Sequence, residues 1–110
     1  MTTDLLSRIQ APASVRRGEV FAVRVALAHP METGFRHDEY GRPAPYNVIN
    51  TFVCSYNGAP VFSASLSSGI AANPGFQFFI RARESGELLF EWQDDEGHQG
   101  RATHALTVIP

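Results

Sequence analysis

Val48-Ile49-Asn50-Thr51-Phe52-Val53-Cys54-Ser55-Tyr56, Asn57-Gly58, and then Val61-Phe62-Ser63-Ala64-Ser65-Leu66 read as two strands closed by a tight turn. Asn-Gly is the dipeptide best suited to the positive φ values of a type I′ hairpin turn, so the two runs should pair directly. Upstream, Phe21, Val23, Val25 and Leu27 alternate with Ala22, Arg24 and Ala26, the period of a half-buried strand. Leu5 to Ile9 opens the chain, and Ala11-Pro12 bends it before Val20. Downstream, Phe76 to Ala82 and Glu87 to Gln93 are expected to form a second hairpin with Ser85-Gly86 at its turn, and Asp94 to Gly100 leads into Thr103 to Ile109. No stretch shows helical spacing over a useful length. About seven strands at regular intervals predict an all-β immunoglobulin-like sandwich of two antiparallel sheets. Its core should contain Phe21, Val23, Val25, Leu88, Phe90 and Trp92.

At 110 residues the chain fits one domain spanning 1-110, without repeats or a linker. Its hydrophobic fraction of 44% with 18% charged residues is ordinary for a folded protein, and the apolar runs are far shorter than the ~20 residues a membrane helix needs. Nine basic residues, all arginine, against eleven acidic ones give a net charge of -2, so nucleic acid is not an expected partner. Met1-Thr2-Thr3-Asp4 has no basic stretch and no apolar signal core, which by itself favours the cytoplasm.

Cys54 is the single cysteine, which excludes an internal disulfide and any multi-cysteine metal site. A nucleophilic or sulfur-carrying thiol needs exposure and a neighbour that lowers its pKa, and a mid-strand position supplies neither. A structural cysteine is the expectation. His29, His37, His98 and His104 lack the spacing of zinc or facial-triad motifs, although His29 and His37 share a stretch with Glu32, Asp38 and Glu39. Asp94-Asp95-Glu96-Gly97 lacks the alternating ligands of a calcium loop and reads as a solvated hairpin tip. No phosphate-binding glycine loop or nucleophile elbow occurs, and no cofactor or catalytic residue is expected.

The stretch His29-Pro30-Met31-Glu32-Thr33-Gly34-Phe35-Arg36-His37-Asp38, closed by Gly41, Pro43 and Pro45, is longer than a turn requires. Such stretches persist mainly where they bind, so His29, Pro30, Met31, Glu32, Thr33, Gly34, Arg36 and Asp38 are candidate partner-binding residues. A second candidate surface comes from strand alternation. If Phe76, Phe78 and Ile80 point inward, Phe79 points out. If Leu88, Phe90 and Trp92 point inward, Leu89 points out as well. With Val53 they would form an apolar patch for a partner.

The string His-Pro-Met-Glu-Thr-Gly at 29–34 resembles the signature of the SoxZ family. The similarity extends through Arg36, Asp38, Gly41 and Pro45, Phe52-Val53-Cys54-Ser55-Tyr56-Asn57-Gly58, Val61-Phe62, Ile70-Ala71-Ala72-Asn73-Pro74, Phe78, Ser85-Gly86 and Trp92-Gln93-Asp94-Asp95. This resemblance implies an immunoglobulin-like, non-enzymatic subunit that forms a heterodimer with a SoxY-type sulfur carrier and makes transient contacts with thiosulfate-oxidising enzymes. It also implies a periplasmic location, reached by export with a signal-bearing partner. The glycine-flanked C-terminal cysteine of the carrier has no counterpart in Leu106-Thr107-Val108-Ile109-Pro110. Two other readings stand beside it: a sulfur transferase or thiol enzyme using Cys54, and a sandwich that binds a metal or ligand through the His29 to Asp38 loop.

Overall fold

The computed structural model describes residues 7–29, 31, 37, 39–42, 47–66 and 74–110. Over these residues the chain is all-β, an immunoglobulin-like sandwich of eight strands without a helix. The strands are β1 (Ser7–Gln10), β2 (Ser14–Arg16), β3 (Val20–Leu27), β4 (Ile49–Tyr56), β5 (Ala59–Ala64), β6 (Gly75–Arg81), β7 (Gly86–Asp94) and β8 (Gln99–Ile109). One sheet has the order β1-β3-β6 and the other β2-β8-β7-β4-β5.

The Asn57-Gly58 hairpin forms as its residues require, with φ of 49° at Asn57 and 86° at Gly58. The opening of the chain differs from expectation. After β1, Pro12 and its neighbours carry the chain across to the other sheet, where β2 pairs parallel with β8. Parallel pairing there, with the strand count rising to eight, follows from the bend at Ala11-Pro12, which makes two short strands out of one N-terminal segment.

A larger correction concerns the expected hairpin between β6 and β7. These strands are not partners: β6 pairs with β3, while β7 pairs with β4 and β8. Ser85 and Gly86 therefore end a crossover between sheets. It is held by the Tyr56 hydroxyl, which donates to the Glu84 carbonyl and accepts from the N–H groups of Arg83 at 3.1 Å and Glu84 at 3.0 Å. Asn57 completes the junction, its Oδ1 accepting from Glu87 N–H at 2.9 Å. A Cβ at 86 would lie 1.6 Å from that same Oδ1, so any other residue there would displace the Asn57 side chain from this junction.

The inward faces match the sequence pattern. Phe21, Val23, Val25, Leu88, Phe90 and Trp92 are all buried. Where the edges β5 and β6 approach one another, aromatic rings close the sandwich: Phe62 stacks on Phe78 with centroids 4.1 Å apart, and Phe52 meets Phe76 edge-on at 4.8 Å. Such pairs add directional contact to the burial that drives sheet packing.

Candidate functional site

Cys54 lies on the inward face of β4, opposite Phe62 of β5 and Phe90 of β7, and is fully buried. Burial pushes its thiol up from 9.0 to about 11. It stays protonated and enclosed at neutral pH, the opposite of what a nucleophile or sulfur carrier needs.

The polar centre of the molecule is a residue that sequence reasoning placed in solvent. Asp94 ends β7 and is buried, not exposed at a tip. Its Oδ2 accepts from His98 Nδ1 at 2.9 Å, His29 Nε2 at 3.0 Å and Asn47 Nδ2 at 3.2 Å. Its Oδ1 accepts from the N–H groups of His98 at 2.8 Å and Glu96 at 3.0 Å, which shapes the turn into β8. Burial alone would raise this carboxyl, but the hydrogen bonds from His29, His98 and Asn47 outweigh it and hold the group at about 2. Asp95 continues the clasp, accepting from Val48 N–H at 3.0 Å and Asn50 Nδ2 at 2.8 Å. Two adjacent aspartates thus tie down both roots of the long stretch, at His29 and at Asn47 to Asn50.

That arrangement corrects the reading of His29 and Met31 as docking residues. Both are buried. The Met31 N–H donates to His29 Nδ1 at 2.8 Å, which leaves the imidazole proton on Nε2, facing Asp94. Met31 itself adopts φ of 50°, unusual for a residue with a Cβ, and its Sδ accepts from Ile49 N–H at 3.3 Å. Pro30, Glu32, Thr33, Gly34, Arg36 and Asp38 lie outside the described residues. Farther along the same stretch Tyr40 is 74% exposed, with the Arg42 guanidinium 5.1 Å from its ring centroid. No arrangement of three or more His, Cys, Asp or Glu able to hold a metal occurs among the described residues.

The expected apolar patch is divided. Phe79 projects from the three-stranded sheet and is 64% exposed, whereas Val53 and Leu89 sit half-buried on the outer face of the five-stranded sheet. They were expected together because β6 and β7 were read as hairpin neighbours, and the crossover at 82–86 puts them on opposite sides. A groove of about 600 Å³ runs between the edges β5 and β6, lined by Phe79, Val61, Pro60 and Tyr56. The sequence held a signal for this groove in the exposed phase of Phe79, but not for the strand that faces it.

Comparison with known proteins gives the fold and the family separately. Among solved structures, superoxide reductase (neelaredoxin) from Ignicoccus hospitalis superposes with a TM-score of 0.74 at 20% identity, covering 94% of this chain and 80% of that one. A putative superoxide reductase from Thermotoga maritima gives 0.72 at 14% identity, covering 94% and 86%. The sulfur carrier protein SoxY from Chlorobium limicola f thiosulfatophilum gives 0.64 at 16% identity, covering 94% and 79%. At these identities the likeness shows the fold alone. Curated protein sequences give no match. The family model described as sulphur oxidation protein SoxZ matches residues 9–105, nearly the whole chain, and the chain belongs to the SoxZ family.

Proposed function

We propose that this chain is the non-catalytic, non-carrier subunit of a heterodimer with a SoxY-type sulfur carrier, and that it supports presentation of the carrier's sulfur intermediates to thiosulfate-oxidising enzymes. The observation that carries the reading is the state of Cys54. In a family devoted to sulfur oxidation, the single thiol of this chain is sealed between aromatic rings and kept protonated. The sulfur-bearing thiol therefore belongs to another chain, and this one supplies surfaces. Residues of the 30–46 stretch, the exposed Tyr40 among them, would supply recognition, and the Asp94 clasp would hold the stretch at its roots. The working location is the periplasm, reached together with a signal-bearing partner.

Mass spectrometry of the chain after incubation with thiosulfate, a carrier subunit and an oxidising system tests this. The chain should keep its mass while the carrier gains an adduct. Native Cys54 should also resist a thiol reagent that modifies it readily once the protein is unfolded. A stoichiometric sulfur adduct on Cys54 would overturn the reading in favour of a thiol enzyme.

A further inference from the structure

A sandwich has four edge strands, here β1 and β6 in the small sheet and β2 and β5 in the large one. Each edge displays unpaired N–H and C=O groups that could pair with another chain, and natural sheets blunt them. Three are blunted here. β1 and β2 run for only four and three residues. β5 contains Pro60, and its register with β4 shifts beside it.

β6 has no such protection. It runs seven residues without proline and pairs with β3 in unbroken register. Leu27 N–H donates to the Pro74 carbonyl and Ala82 N–H to that of Glu19, so the even-numbered residues of this segment bond to β3. By antiparallel alternation the N–H and C=O groups of Gly75, Gln77, Phe79 and Arg81 point away from the sheet. Among the described residues no strand pairs with that edge. The exposed Phe79 ring stands on it, beside the groove toward β5.

Charge identifies what would cover it. β1, β3 and β6 contain no aspartate or glutamate, although the chain as a whole carries a net charge of -2. Arg8, Arg24 and Arg81 are exposed on the outer face of this sheet, the face that also carries Phe79. Arg24 Nε donates to Gln77 Oε1 at 3.1 Å and Arg81 Nη1 to the Gly18 carbonyl at 2.8 Å, and neither forms an ion pair with a carboxylate among the described residues. A second copy of this chain added through β6 would set both sets of arginines on one continuous face, an unfavourable pairing.

We propose that β6 is the docking strand for the SoxY-type partner, which adds an extended segment to this edge, places carboxylates against Arg24 and Arg81, and covers Phe79 with an apolar side chain. This rests on the partner reading above. The solved SoxY sulfur carrier protein shares this fold, so such a partner brings strands of its own.

The test uses the full chain and a co-expressed SoxY-type carrier subunit. Amide hydrogen exchange at Gln77, Phe79 and Arg81 should slow on complex formation. Gln77→Pro removes an N–H that no described residue uses, together with the Oε1 that accepts from Arg24, and it should weaken the complex by about tenfold or more through a lost inter-strand bond and a steric block. The double variant Arg24→Glu/Arg81→Glu, which leaves the backbone alone, should do the same and keeps the test valid if the proline variant unfolds. Wild-type affinity in both variants, with unprotected amides in the wild-type complex, would place the interface elsewhere and leave the partner reading standing. Protection that grows with concentration in the isolated chain would make β6 a self-association edge and overturn the proposal. A wild-type chain that does not bind the carrier at all would remove both.

Discussion

Asp94 shows how much of a fold can depend on one carboxylate. Held at about 2 against an ordinary 3.8, it is more acidic in the folded chain than in the unfolded one. A depressed carboxyl contributes its full stability above the unfolded value and loses it as pH falls through the folded one. The window is therefore from about pH 4 down to about pH 2, and the contribution is roughly 2 kcal/mol at 1.36 kcal/mol per unit. Urea unfolding at about pH 6 and again below about pH 3 should show this loss in the wild type, and Asp94→Asn should flatten that part of the profile while lowering stability at neutral pH. Equal acid sensitivity of the two proteins would mean that Asp94 does not hold the clasp. Sequence reasoning found the burial of Cys54, because a lone cysteine amid strand residues is its own evidence. It could not find Asp94, whose partner His29 is 65 residues away.

Between elements, the same distinction appears in the two turns. Asn57-Gly58 is legible because the turn chemistry is local and the strands it joins are hydrogen-bonded to each other. Ser85-Gly86 has equally turn-like residues, but whether the next strand pairs or crosses depends on Tyr56, a residue from another hairpin. Its hydroxyl serves three backbone groups at 83–84. Tyr56→Phe keeps the buried ring and strands those groups, which should destabilise the chain by about 1–3 kcal/mol. Chemical denaturation measures that loss. Hydrogen exchange should meanwhile quicken at Arg83 and Glu84, with little change in the Asn57-Gly58 hairpin. An unchanged midpoint would assign the crossover's stability to Asn57 and Ser85 instead.

For the whole molecule, which residues face the core was readable from alternation, because a strand's period does not depend on its neighbours. Which outer faces coincide was not readable, because that depends on strand order. The consequence reaches the interface. A single partner segment lying along β6 covers Phe79 but cannot reach Leu89, which pairs across from Ser55 and Thr103 on the other side of the sandwich. Leu89 is already half-buried within its own sheet, whereas Phe79 leaves most of its ring in water. Burying that ring offers about 1.5 to 3 kcal/mol to a complex before the costs of association. Phe79→Glu should accordingly weaken carrier binding by about tenfold or more with little change in the chain's own unfolding, since the new charge loses water only in the complex. Leu89→Glu should leave affinity nearly unchanged and lower the stability of the isolated chain. Titration calorimetry of each variant against the carrier, beside its unfolding curve, separates the two faces: the reverse pattern would move the partner onto the five-stranded sheet, with Val53 and Leu89 beneath it.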